Sequence, residues 1–181
     1  MKLRKTLLVS LLLIMFCCFQ SQAQESPDNI IEWSDRDKLD WNDYVFRKLK
    51  NGNERGEIAI STIRISARGY LNNEMPDFIV KAYFVKSDSW TSDSTHVDLL
   101  KHEQLHFDIG ELYAQKIRLK IEELKSNGEV SPKKYRSAIK NIITIFKRYS
   151  GQYDRETGFG TDDETQGVWN DRIRGLLKSS N

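Results

Sequence analysis

Apolar residues in the second half of the chain recur at the three- and four-residue spacing of amphipathic helices. The first such segment covers residues 97–124 without a proline, and its apolar positions share one helix face. Ser94 and Thr95 precede it as candidate N-caps. Asn127-Gly128 follows it as a typical C-terminal signal. The spacing therefore predicts one long helix here.

The same spacing predicts two further helices downstream. Ser131 and Pro132 mark the start of the second, whose apolar stripe reaches Tyr149. The third covers residues 165–177. The outer surface of the second helix is basic, with Lys133, Lys134, Arg136, Lys140, Lys147 and Arg148. This surface is typical of a solvated helix face, and it would also suit a membrane surface or an acidic partner.

Alternating apolar and polar positions predict two β-strands before these helices. The first covers residues 57–70 and the second residues 78–85, with a turn at 72–76 between them. Another turn is predicted at residues 51–53. Because the strands precede the helices instead of alternating with them, the order indicates an α+β fold with a small antiparallel or mixed sheet.

The first residues have the pattern of a signal peptide. Three basic residues precede an apolar stretch over residues 7–19, and residues 21–23 have the small-x-small form of a cleavage site. We predict cleavage after Ala23, which leaves residues 24–181 as one domain. Cleavage leaves 25 basic residues against 26 acidic ones, so the net charge changes from +2 to about −1.

This leader changes the expected environment of the protein. Both cysteines, Cys17 and Cys18, lie within it, so the mature chain has no disulfide. We expect secretion across the inner membrane, to the periplasm or the extracellular space. The mature charge indicates no general attraction to nucleic acid, and no transmembrane segment is predicted after the leader. No oligomeric state is predicted.

The long predicted helix carries the most specific chemical signal, His102-Glu103-Gln104-Leu105-His106. The two histidines lie four residues apart on the apolar stripe, so both rings can reach one point. Glu103 lies about 100° around the helix, where it can act as a general base on water without binding a metal. Zinc held by two imidazoles and a third ligand would acidify that water and polarise a carbonyl. The motif therefore predicts metal-assisted hydrolysis.

The motif supplies only two protein ligands, so a third must come from elsewhere. Glu111 points away from the histidines, and His96 lies at the start of the helix. Residues 131–153 contain no Asp, Glu or His, so we expect the second helix to supply no ligand. The segment that follows is the predicted source, with Asp154 and Glu156 as the preferred candidates.

The motif and its surroundings resemble the DUF922 family. The similarity is densest over residues 99–114, which read Leu-Leu-Lys-His-Glu-Gln-Leu-His-Phe-Asp-Ile-Gly-Glu-Leu-Tyr-Ala. It continues at Ser89-Trp90, at residues 153–157, and at Gln166 with Trp169-Asn170. The resemblance implies a secreted zinc-dependent protease of zincin-like fold that acts on a peptide or protein substrate.

The resemblance has two further implications for the site. The predicted strand at residues 78–85 would border the substrate cleft, where an extended peptide could pair with its edge. Phe159 stands where the family often has a histidine. This departure leaves open a catalytically impaired metal-binding or envelope-interaction protein on a peptidase-derived fold. A periplasmic structural module without metal is the remaining alternative.

Overall fold

A computed structural model describes residues 26–48, 58–73 and 75–179 of the chain. The predicted signal peptide and the predicted turn at residues 51–53 lie outside the described residues. The helices are α1 (Val97–Ser126), α2 (Pro132–Glu156) and α3 (Asp163–Ser179). The strands are β1 (Ile30–Glu32), β2 (Val45–Phe46), β3 (Ala59–Ile60), β4 (Ile63–Asn72), β5 (Met75–Val85) and β6 (Trp90–Thr91). The predicted α+β class is confirmed.

The described strands form two three-stranded sheets. The first has the order β1-β5-β4 and is antiparallel, with its long hairpin pairing Ile63 with Phe84 at one end. The second has the order β2-β6-β3, with β2 parallel and β3 antiparallel to β6. The prediction of one strand over residues 57–70 is therefore wrong. Thr62 breaks it, because its N–H donates to Ser89 Oγ at 2.9 Å and its carbonyl accepts from Val85.

The first sheet packs one face against α1. Val80, Ala82 and Phe84 alternate toward the helix, as their period-two spacing predicts, and all three are buried. Gly110 of α1 permits close approach, because a Cβ there would lie 2.5 Å from Ile63 Cγ2. As a result α1 forms the centre of the domain, which explains why charged residues of its motif are buried.

The ends of the helices differ from prediction in two places. His96, not Ser94 or Thr95, is the N-cap of α1 and accepts from the Leu99 N–H. The second helix continues beyond the apolar stripe that reaches Tyr149, into the polar segment that follows, and ends at Glu156. The fully buried Tyr153 explains the extension, since it gives the last turn a packed apolar face although the flanking residues are polar.

The third helix closes the domain over the end of α2. Its Trp169 and Ile173 are 1% and 0% exposed, so its packing extends the core that α1 and α2 begin. In the described part of the chain, no helix has the combination of length and apolar content that a membrane crossing requires.

Candidate metal centre

The two histidines of the motif converge as their spacing predicts. His102 and His106 are 2% and 8% exposed, and their ring centroids lie 4.9 Å apart. Both Nε2 atoms approach the same carboxylate oxygen, Asp154 Oδ1, at 3.4 Å from His102 and 2.8 Å from His106. The structure therefore brings Asp154 beside two histidines that precede it by 52 and 48 positions in the sequence.

Asp154 reaches the site from the last turn of α2. The expectation that this helix would supply no ligand is wrong, because the helix continues beyond the stretch that lacks acidic residues. Of the two preferred candidates, Glu156 lies elsewhere: it accepts hydrogen bonds from Gln152 Nε2 at 2.7 Å and Trp169 Nε1 at 3.0 Å. Glu156 thus anchors α3 on α2, and Asp154 faces the histidines.

The three side chains have the chemistry and spacing of a metal site. One donor atom from each of His102, His106 and Asp154 lies within 4.8 Å of the other two. A tetrahedral zinc ion with ligands at about 2.0–2.1 Å holds them about 3.4 Å apart. The 3.4 Å contact already has this spacing, and the 2.8 Å contact would open by roughly half an ångström. This group could therefore hold a metal ion.

Hydrogen bonds on the far side of each ring orient the histidines. His102 Nδ1 lies 3.1 Å from Gln166 Oε1, while the Gln166 amide nitrogen donates to Asn170 at 2.9 Å. The amide oxygen is thus the acceptor, so His102 carries its proton on Nδ1. His106 Nδ1 lies 2.9 Å from the Ser150 hydroxyl. Both Nε2 lone pairs can then point at a metal.

Tyr153 holds this arrangement together. Its ring stacks on His102 at 4.5 Å and meets His106 edge-on at 4.8 Å. Its hydroxyl donates to Gln166 Oε1 at 2.7 Å and lies 3.1 Å from the His102 carbonyl. Sequence reasoning gave no role to Tyr153, Gln166 or Ser150. Two of them lie in segments that resemble the family, which was the available signal, whereas nothing in the pattern indicated Ser150.

In the metal-free protein the two histidines and Asp154 stabilise one another's charged forms through hydrogen bonds. Burial raises the pKa of Asp154, but hydrogen bonds from His102 and His106 outweigh it and hold that pKa well below its usual value. Burial lowers the pKa of His106, yet its hydrogen bond to Asp154 and the charge of Glu103 raise it overall. Asp154 is therefore ionised over the physiological range.

Glu103 is the buried carboxylate that the motif predicts beside the histidines. It is 3% exposed, and its Oε2 has no hydrogen-bond partner among the described residues. A buried carboxylate oxygen without a partner is costly. The cost falls if the oxygen faces a site that binds water, and Glu103 borders a cavity of about 420 Å³ together with both histidines.

That cavity is the cleft of the site. Its lining joins Asp154 and Ser150 of α2 with the backbone segment 58–61 that contains β3. The implication that residues 78–85 border it is wrong. They form most of β5, which lies between β1 and β4 in the centre of its sheet. A larger cavity of about 660 Å³ across α1 contains neither motif histidine, so chemistry, not volume, identifies the centre.

Phe159 and Gly160 form the rim of the cleft. Phe159 is 45% exposed and has a φ of 57°, so its side chain is displayed at the rim and is not packed in the core. Gly160 lies in close contact with His102, because a Cβ at this position would lie 2.9 Å from the imidazole Cγ. The φ of 83° at Gly160 also favours glycine. This turn therefore confines His102 from the side opposite its helix.

Comparison with known proteins gives a match to one protein family. No curated protein and no solved structure matches this chain. Residues 71–160 match the model of a family described as bacterial protein of unknown function (DUF922). The matched segment contains the whole motif and Asp154, so it includes all three candidate ligands. The resemblance read from the sequence is confirmed, and the chain belongs to the DUF922 family.

Proposed function

We propose that this protein is a secreted zinc-dependent metallopeptidase of zincin-like fold. The observation that carries the proposal is the convergence of His102, His106 and Asp154 beside the buried Glu103. A chance HExxH motif on a core helix would have its ring nitrogens satisfied by unrelated polar groups. Here each ring has one nitrogen in a hydrogen bond with a neutral side chain and the other directed at a carboxylate.

The residues divide the chemistry between them. His102, His106 and Asp154 would hold the ion, which when bound acidifies a water molecule and polarises the scissile carbonyl. Glu103 takes a proton from the water molecule while the water oxygen forms a bond to the carbonyl carbon. When the carbon–nitrogen bond breaks, Glu103 returns that proton to the leaving amine. The buried setting of Glu103 keeps this carboxylate close to the reacting atoms.

The cleft offers a place for an extended peptide. β3 lies at the edge of its sheet, and the segment 58–61 around it lines the cavity opposite α2. Strand addition along such an edge fixes a peptide through main-chain hydrogen bonds with little demand on its side chains. This supports a polypeptide substrate, which would lie between β3 and Asp154.

Phe159 favours a second candidate, a catalytically impaired metal-binding or envelope-interaction protein. An exposed aromatic ring at the rim of the cleft suits contact with another protein as well as with a substrate. This candidate binds metal through the same three ligands but turns over no substrate. The two candidates differ in one observable, hydrolysis that depends on Glu103.

The test is a comparison of two conservative variants of α1. Glu103→Gln is expected to retain about one zinc per chain and to lose cleavage of an unfolded protein substrate. Glu123→Gln is the matched control, because Glu123 is exposed and pairs with Lys120 at the surface. Full activity of the wild-type protein after exhaustive chelation would rule the metallopeptidase out. Stoichiometric zinc without any Glu103-dependent cleavage would favour the second candidate.

A further inference from the structure

A second, smaller cavity adjoins α2 away from the metal centre. Its volume is about 300 Å³, and it lies between the first sheet and the helix. Ala67 and Phe78 of the sheet form one wall, and the helix provides the other. The helix wall consists of Arg136, Ile139, Lys140, Ile143, Thr144 and Lys147. Apolar side chains and three cations therefore line the same groove.

This groove and the metal centre share one ridge of α2. Alternating steps of three and four residues place Arg136, Lys140, Ile143, Lys147, Ser150 and Asp154 in one row on a helix. With a rise of 1.5 Å per residue, Lys147 lies about 10 Å from Asp154 along the axis, Lys140 about 21 Å and Arg136 about 27 Å. The row that ends at a candidate metal ligand thus carries three positive charges.

The positive charge of this ridge is not compensated. Within the described part of the chain, none of the three cations forms an ion pair, and α2 has no acidic residue before its last turn. Some exposed cations of the other helices have acidic partners three residues away, as in the pairs Lys101–Asp98 and Arg174–Asp171. Like charges on successive turns destabilise a helix slightly. The ridge therefore presents a local positive field suited to an anionic ligand.

We propose that this ridge, which we call the cationic ridge (Arg136, Lys140 and Lys147), binds an acidic stretch of polypeptide that lies across the metal centre. The proposal rests on the proposed function and names its substrate class. An extended chain advances about 3.3 Å per residue. Acidic side chains about three, six and eight residues from the scissile bond would therefore meet Lys147, Lys140 and Arg136 in turn.

The shape of the groove favours a polypeptide over a lipid surface. A flat bilayer contacts protruding side chains, whereas these cations line a concavity that Phe78 and Ala67 close on the other side. The apolar part of that wall, Ile139 and Ile143, can accept apolar side chains between the acidic ones. An amphipathic acidic segment thus complements both the charge and the polarity of the groove.

The test compares two charge reversals of equal size. The ridge variant carries Lys140→Glu and Lys147→Glu. The control variant carries Lys133→Glu and Arg148→Glu, two exposed cations of the same helix that line neither the groove nor the cleft. Fluorescence anisotropy measures binding of a labelled peptide with acidic residues at the three predicted positions, in a Glu103→Gln background that prevents cleavage. A peptide with glutamine at those positions is the second probe.

We expect the ridge variant to bind the acidic peptide about tenfold more weakly than the control variant. This corresponds to two surface ion pairs lost and two repulsions gained. The difference should shrink as salt screens the charges, and the glutamine peptide should show none. With Glu103 restored, zinc-loaded wild type should cleave the acidic peptide in preference to the neutral one.

Three outcomes would overturn the assignment. These are equal binding of the acidic peptide by both variants, equal affinity of wild type for acidic and neutral peptides, and ridge-dependent binding only to phosphatidylcholine vesicles that contain phosphatidylglycerol. The proposed function fails separately. If the ridge binds the acidic peptide as expected but zinc-loaded wild type cleaves nothing, the ridge assignment stands and the peptidase does not. If both peptides are cleaved at equal rates, the peptidase stands and the ridge assignment does not.

Discussion

Replacing Asp154 by asparagine removes one candidate ligand and keeps the shape of the side chain. Asp154 Oδ1 lies 2.8 Å and 3.4 Å from the two histidine nitrogens, so an amide of the same size can still accept a hydrogen bond from His106. The amide lacks the negative charge and binds zinc far more weakly. The variant should therefore fold as the wild type does and lose metal affinity.

The size of the loss follows from the number of ligands. A structural zinc site is worth about 10–16 kcal/mol, so one ligand of four contributes about 3 kcal/mol. The variant should then bind zinc roughly 150-fold more weakly, at 1.4 kcal/mol per tenfold. At free zinc about a thousandfold above the wild-type Kd, the metal stabilises the wild type by about 4 kcal/mol. It stabilises the variant by about 1 kcal/mol, a difference of roughly 10 °C in Tm.

Two measurements check this reasoning. Competition with a fluorescent zinc chelator gives the Kd, and thermal unfolding with and without zinc gives the shift in Tm. Glu156→Gln is the matched control, since that carboxylate holds Gln152 and Trp169 and does not approach the histidines. Unchanged zinc affinity in Asp154→Asn would refute the assignment of the third ligand. A loss in Glu156→Gln as large as in Asp154→Asn would refute it equally.

Four further predictions concern the site and the packing of its helices. Gln166→Leu should lower zinc affinity about tenfold, because the His102 Nδ1–H loses its acceptor, and an unchanged Kd would contradict this. Gly110→Ala should cost about 1–3 kcal/mol in urea unfolding, since the added Cβ lies 2.5 Å from a β4 methyl carbon. Gly167→Ala, with open space around it, should stabilise by about 0.5–1 kcal/mol. Because the pKa of His106 is raised in the metal-free protein, zinc must displace a proton from this ring. Calorimetry should therefore show a zinc affinity that rises with pH until the pH exceeds the pKa of His106.

The raised pKa of His106 has the opposite consequence for the metal-free protein, whose stability falls as the pH rises. A raised pKa in the folded state means that the charged His106 stabilises folding fully below its unfolded pKa. That contribution is lost as pH rises through the higher folded value. Unfolding in urea at several pH values, with chelator present, measures it. Stability without metal that increases over this range in wild type but not in His106→Gln would contradict the assignment.

The periodicity of the sequence by itself determined the order and type of the main elements. The three helices and the two long strands each bury one face, and a buried face leaves a period of 3.6 or 2 in the sequence. The same logic placed His102, Glu103 and His106, because their spacing lies within one helix. Local spacing is sufficient wherever the partners belong to the same element.

The tertiary structure decided what the partners from different elements do. Asp154, one of the two candidates from the sequence, faces the histidines because α2 extends through the buried Tyr153, a packing event that no local pattern records. Ser61 and its neighbours came to border the cleft because Thr62 turns the chain between two sheets. The sequence alone thus determined that two imidazoles and a carboxylate lie on one buried helix. Only the packing of α2 and α3 against that helix determined which acidic candidate faces the histidines and how the rings are oriented, because those contacts join residues far apart in the chain.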